Sequence, residues 1–241
     1  MPFTDEILQS LTYLANTYQH IAIVWHLVIY SLLLFLVVSK QKLSNRFVGS
    51  FLALPLLSVS FFAWLTGNPF TGIFFLVTGT VLFFFSFTAK PEQIVFNPSF
   101  SLRVTGIVIL FFGLAYPHFL GSQVLIYLYA APVGIIPCAT LLMVTGFSVM
   151  FSLRQSLKWM LALFSADLFY GLFGVFRLHV YIDIFLLFAS CVLFIQFMLW
   201  RNFRVHLHKR SFGKQSWKTT AGRGQRSESI THNTKSGRLL L

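Results

Sequence analysis

Between Ile21 and Trp200 the chain is a series of apolar stretches, each about as long as a bilayer crossing, and nearly all the Lys and Arg there fall in alternate gaps. A hydrocarbon core of about 30 Å takes roughly 20 helical residues to cross. The pattern therefore predicts an all-α polytopic transmembrane bundle, with the lipid bilayer as its surroundings and its orientation carried by the charges. A composition that is 56% hydrophobic and 10% charged, with a mean hydropathy of +0.76, would leave large apolar patches on a soluble domain of 241 residues.

Seven spans are expected: Ile21 to Ser39, Phe47 to Leu65, Phe70 to Phe87, Val104 to Leu120, Gly134 to Leu153, Trp159 to Phe176 and Tyr181 to Trp200. Lys40, Lys42 and Arg46 lie in the first gap, Lys90 and Arg103 in the third, Arg154 and Lys158 in the fifth, and Arg201 and Arg204 open the tail. The other gaps hold one basic residue, Arg177. Because cytoplasmic loops carry the excess of Lys and Arg, seven spans with the N-terminus outside and the C-terminus inside satisfy the bias. Trp64, Trp159 and Trp200 sit at span ends, where Trp favours the headgroup level, whereas Trp25 is deeper and is expected to pack. Gly72, Gly79, Gly106 and Gly113 lie within spans and are expected to let helices approach closely.

Residues 1–20 carry Asp5 and Glu6 but no Lys or Arg, unlike a cleavable signal peptide. Thr4 is a plausible N-cap, and Ile7, Leu8, Leu11 and Leu14 share one helical face, predicting an amphipathic lead-in along the outer leaflet. Residues 21–200 form the transmembrane domain. Residues 201–241 are basic and polar, with Glu228 the single acid, and are expected to be a disordered cytoplasmic tail. Its expected partner is anionic lipid, each basic residue near the surface contributing about 1 kcal/mol, rather than nucleic acid.

Few residues carry chemistry. Asp167 falls near the middle of the sixth span, where an acid costs roughly 2.5 to 3.5 kcal/mol, so it reads either as a proton or cation site or as an acid bonded to a hydroxyl or to His26. Asp183 stands near the outer end of the last span after Arg177 and His179, forming either a salt-bridged turn or the polar floor of an outward vestibule. His118 lies at the same expected end. From Ser122 to Phe151 the chain is apolar for too long for one crossing, and Pro132 and Pro137 interrupt it. A re-entrant or interfacial piece through Tyr127, Tyr129 and Ala131, followed by a span from about Gly134, would make Pro137 and Cys138 pointers to a site. The other reading of Pro137 is a first-turn helix residue. Cys138 and Cys191 are the only cysteines and offer neither a disulfide framework nor a metal set, and no cofactor motif is present.

The H-E-x-x-H, G-x-x-x-x-G-K-[ST] and G-x-G-x-x-G signatures are missing. Gly146-Phe147-Ser148 has the form of a rhomboid nucleophile segment, but no His lies deep in a later span to serve as its base.

Several segments resemble an uncharacterised family of small bacterial multi-pass membrane proteins, known as a domain of unknown function. They are Met1-Pro2-Phe3-Thr4, Asn68-Pro69 before an aromatic-rich span, Tyr116-Pro117, and Ala131-Pro132-Val133-Gly134-Ile135-Ile136-Pro137-Cys138-Ala139-Thr140. Val180-Tyr181-Ile182-Asp183 is similar to that family's turn into its last span. The family pattern continues Pro-Cys-Pro-Thr-Thr, whereas here Ala139 and Leu141 flank Thr140. The resemblance covers most of residues 1–200. It implies matching positions at Pro137, Cys138 and Asp183, none at Asp167, and a place in the bacterial cytoplasmic (inner) membrane.

Three functions compete: a transporter-like or solute-binding protein for a small solute or ion, a non-catalytic scaffold or accessory subunit, and a lipid-modifying enzyme using Asp183, His179, Arg177 and His118 at a headgroup. Seven spans also describe the sugar transporters built as three helices, a linker and three more, but their paired Pro-Gln signatures are absent here.

Overall fold

The computed structural model describes residues 4–38, 43–117, 119, 124–151 and 157–199. Lys40, Lys42, His118, Ser122, Arg154, Trp200 and the tail lie outside them. The described chain is helical: α1 Thr4–Thr17, α2 Gln19–Val38, α3 Asn45–Leu65, α4 Pro69–Thr88, α5 Phe100–Leu114, α6 Tyr127–Ala130, α7 Pro137–Met150, α8 Leu157–Leu172 and α9 Tyr181–Leu199. A π turn, Phe173–Arg177, continues α8, and a 3-10 turn, Tyr181–Asp183, opens α9. Met1–Ile195 form one compact unit, and Gln196–Leu241 a second of which only residues 196–199 are described.

A helix occupies each of the seven apolar windows, and five of them are long and apolar enough to cross a membrane. The other two, α5 and α7, have 15 and 14 residues. At 1.5 Å per residue they reach only about 21 to 23 Å. The fourth window was expected to run to Leu120. It ends at Leu114 because Pro117 follows closely, and the residue before a proline is pushed out of the helical region. At the other end α5 begins three residues after Asn97-Pro98, which puts Arg103 in its first turn beside the rings of Phe96 and Phe100 rather than in the gap.

α7 starts at Pro137, not Gly134. Pro137 is its first-turn residue, where the missing N–H is no loss, and the expected break is there, with the short helical piece Val124–Ala130 ending before it. Before it the backbone turns at Gly134, whose φ of 75° suits glycine. Thr140 closes that turn: its hydroxyl accepts from the Gly134 N–H at 2.8 Å and donates to the Ile136 carbonyl at 2.7 Å.

Every residue of α7 is buried, so it is the axis of the bundle and is apolar all round, as a helix with no solvent face must be. Outward, the polarity is inverted: Leu27, Leu34, Val38, Phe84, Phe100 and Phe176 are among many large apolar side chains more than half exposed.

Glycines set the closest helix contacts, and three antiparallel pairs use them. A Cβ at Gly106 would overlap the backbone of Met150, one at Gly113 that of Met143, and one at Gly146 that of Leu110, so α5 and α7 touch backbone to backbone along their length. Gly72 and Gly79 of α4 face Trp64 and Leu57 of α3, and Ser60 Oγ donates to the Gly72 carbonyl at 2.7 Å. Gly171 and Gly174 of α8 and its π turn face Leu187 and Asp183 of α9. The packing role expected of the in-span glycines is thus realised.

The connections gather at two ends. At one, Ser44 pairs with Gln93 and Phe96 with Phe151, Arg46 Nε donates to the Ala89 carbonyl, and Asn97 Nδ2 donates to the Val149 carbonyl at 3.2 Å. Lys90, Arg103 and Lys158 belong to the same end, Lys158 over the ring of Phe85. The α3–α4 turn, the N-terminus of α7 and the α8–α9 turn meet at the other. Trp159 departs from expectation. It is 1% exposed and donates its indole N–H to Ser148 Oγ at 3.3 Å, so it is a core residue and not an interfacial anchor, whereas Trp25 does pack, against Gly134.

Gly146→Val should lower detergent-solubilised stability by about 1 to 3 kcal/mol, the usual cost of overpacking, because the Leu110 backbone cannot yield. Gly79→Ala meets first the side-chain end of Leu57, with the Leu57 backbone nitrogen farther off at 3.3 Å, and should cost less, which thermal unfolding of the two variants side by side would measure.

Candidate functional site

At the end opposite the basic loops a cavity of about 610 Å³ is walled by α1, the α3–α4 turn, the start of α7 and the α8–α9 turn. Its wall is largely apolar: Ile7, Leu11, Leu14, Phe70, Ile136, Pro137, Phe173 and Leu178. Glu6, Asn68, Thr71, Cys138, Tyr170, Arg177 and Asp183 bring polar groups to it. Few polar groups converging in an apolar hollow is the ordinary form of a small-ligand site.

Three helices fix its floor. Asp183, 1% exposed, accepts a hydrogen bond from the Tyr116 hydroxyl on Oδ1 at 2.5 Å and from the Cys138 thiol on Oδ2 at 3.2 Å. Tyr116 follows α5, Cys138 is the second residue of α7, and Asp183 sits in the 3-10 turn of α9, its N–H donating to the Val180 carbonyl at 3.0 Å. A Cβ at Gly174 would occupy the place of the Asp183 carboxyl, so the glycine is what lets the acid lie against α8. The π turn, a local widening common at functional sites, brings Gly174 there. The α8–α9 turn is then closed by Val180 N–H to the Gly174 carbonyl at 3.0 Å, with His179 in the left-handed conformation, φ 57°.

Of the residues singled out in the sequence, Asp183, Cys138, Pro137 and Arg177 meet at this cavity, the first two in direct contact. Asp183 belongs to a buried hydrogen-bonded cluster with Tyr116 and Cys138. Asp167 does not join it. It is 0% exposed, accepts from Thr145 Oγ1 at 2.7 Å on Oδ2, and its Oδ1 has no partner. The suggested pairing with His26 is not formed: His26 sets its two ring nitrogens against the carbonyls of Ala22 and Leu114, each at 2.8 Å. His179 and Arg177 are exposed.

Tyr116, Tyr170 and Gly174 belong to the site and were not foreseen as such. Tyr116 stood in one of the quoted motifs, and Tyr170 lies one helical turn beyond Asp167, which is the signal that could have drawn attention to it. The Tyr170 hydroxyl is buried near Thr71 but makes no well-formed hydrogen bond, its ring wedged edge-on against Phe74 and Phe75. Among the described residues no group of three or more His, Cys, Asp or Glu could hold a metal ion.

Among the described residues, the fold and site define an all-helical protein, with five helices of membrane-crossing length and apolarity, bearing a cavity at one end of the bundle. No family model, curated protein or solved structure matches the chain.

Tyr116→Phe should destabilise by about 1 kcal/mol, and Asp183→Leu by about 1 to 3 kcal/mol or more because it leaves the Tyr116 hydroxyl buried and unpaired. The double variant should cost less than the sum, with a coupling of about 0.5 to 3 kcal/mol in chemical-denaturation cycles.

Proposed function

We propose that the chain is a seven-span protein of the bacterial cytoplasmic membrane, N-terminus outside and C-terminus inside, that binds a small solute in the cavity as a transporter-like protein. The observation that carries the solute reading is the cavity itself, an apolar hollow of about 610 Å³ over a floor of Cys138 and Asp183. The apolar exterior of α2, α3, α4, α8 and α9 supports a lipid surrounding, since a water-facing surface seldom carries contiguous apolar area of this extent. Alternation of the connections between the two ends supports seven crossings. With the basic residues at the end away from the cavity, the positive-inside bias turns the cavity outward. Of the two short helices, α7 then crosses inside the bundle, where it needs no lipid contact and its ends lie inside the protein, while α5 packs on it with Val104, Ile107 and Phe111 facing outward.

The same features bear on the solute. Asp183 already receives two hydrogen bonds and retains unused lone pairs, so it is a fixed acceptor. A compact, mainly apolar molecule with one donor or cationic group fits that floor. A resemblance to a bacterial multi-pass membrane family agrees with this placement at Pro137, Cys138 and Asp183.

Two experiments test the proposal. Alkaline phosphatase fused after Gly67 should be active outside the membrane and inactive when fused after Lys90; the reverse pattern would overturn the orientation. A thermal-stability screen of purified protein against amines, amino acids and short apolar cations should find a compound that at about 100 times its Kd stabilises by roughly 2.7 kcal/mol. The shift should vanish in Asp183→Asn. A shift that survives that substitution would move the site elsewhere, and no shift with any compound would favour a scaffold or accessory role.

A further inference from the structure

Beneath the cavity a second polar group lies along the contact of α7 and α8, where nearly everything else is apolar. Leu141, Leu142 and Val144 of α7 and Leu163 and Ala166 of α8 are buried there. Between them sits Asp167, with Thr145 Oγ1 on one carboxyl oxygen and nothing on the other. One turn further toward the cavity the Tyr170 hydroxyl, in a residue 4% exposed, also lacks a well-formed partner, and Tyr170 lines the cavity wall. Two deeply buried polar atoms without partners, one turn apart and leading from a cavity inward, are costly unless something visits them.

The surroundings decide what the visitor is. No cation faces Asp167 from any element packed against it. α4 carries no titratable residue at all, and α7 carries only Cys138, seven residues before Thr145 and bonded to Asp183. On α9 the titratable residues are Tyr181, Asp183 and Cys191. On α8 and its π turn the cationic residues are Lys158 and Arg177, nine residues before Asp167 and ten after it, about 13 and 15 Å along the axis. An ionised carboxylate here would be a buried charge with no counter-charge. A metal cation would need several oxygens, and the hydrogen-bond partner of Asp167 supplies one hydroxyl. A proton needs none of these.

We propose that Asp167 is a proton-binding site reached from the cavity past Tyr170. This deepens the solute-binding reading by naming its coupling ion. Tyr170 Oη and Asp167 Oδ1 are not hydrogen-bonded to each other at rest, so in the step a water entering from the cavity bridges them: Tyr170 Oη takes a proton from the cavity side and releases its own through that water to Asp167 Oδ1, converting carboxylate to carboxylic acid. Thr145 holds the other oxygen throughout. Release is the reverse, so no further reactant is required, and a solute occupying the cavity beside Tyr170 stands in the proton's path.

Infrared difference spectroscopy tests this without any solute, so its outcome is independent of whether the cavity binds one. The wild type minus Asp167→Asn should show a protonated-carboxyl stretch above the amide bands that shifts down in D2O while the protein stays folded. If Asp167→Asn does not fold, Thr145→Val serves instead, because loss of the hydroxyl should move the same band upward. In Tyr170→Phe the shift into D2O should be at least tenfold slower. A missing band, a band that exchanges only on unfolding, or unchanged exchange in Tyr170→Phe would each overturn the proposal. Suppression of the band by sodium at constant pH would overturn it in favour of a metal cation.

Discussion

A short helix with no exposed side governs this structure. α7 has 14 residues, about 21 Å, while α2, α3 and α4 around it have 20 or 21, about 30 Å. Being enclosed, it has to be gripped, and the grip comes from close packing. Gly106 and Gly113 of α5 and Gly146 of α7 itself provide it by removing side chains along the seam. Being short, α7 also leaves a gap at one end of the bundle. The segment from Ala131 to Ile136 turns into that gap, α1 lies over it, and what remains open is the cavity. Cys138 reaches the cavity floor because it is the second residue of a helix that begins inside the bundle.

The same geometry explains why the polar residues are arranged in two levels. Asp183 enters at the start of α9 and meets Tyr116 and Cys138 at the cavity floor, three groups from three helices that tie the ends of the α5–α7 and α8–α9 pairs together. Asp167, 16 residues earlier and one level deeper, is held by a single hydroxyl of α7. The upper cluster has a hydrogen bond on each carboxyl oxygen and suits recognition, whereas the lower group is under-coordinated and suits reversible occupancy. A solute at the floor and a proton one level below would share Tyr170 as their boundary.

Much of the bundle was legible in the sequence because hydrophobic length is a one-dimensional signal. Each apolar window holds a helix, and the in-span glycines pack as expected. Window edges failed where local chemistry overrode hydropathy: Pro117 cut α5 at Leu114 despite apolar residues beyond, and Pro137 moved the start of α7. Trp159 failed for another reason. Its position at a window edge suggested an interface, but the partner that draws it inward, Ser148, is contributed by a different helix. The candidate site was legible as a set of residues and not as a set of bonds. Asp183, Cys138, Pro137 and Arg177 stood out by chemistry and placement. The partners of Asp183 lie 45 and 67 positions away in the chain, and nothing in the local sequence of α9 points to them.

The central claim is that α7 begins at the floor of a cavity, proposed to open outward, with Cys138 presented to it. Thiol accessibility reads this directly in a Cys191→Ser background, where Cys138 is the sole cysteine. A small, membrane-impermeant methanethiosulfonate reagent added to intact cells should modify Cys138 in the folded protein, and a bulkier reagent that cannot enter a cavity of this size should not. Modification only from the cytoplasmic side of inverted vesicles, or only after unfolding, would contradict the account.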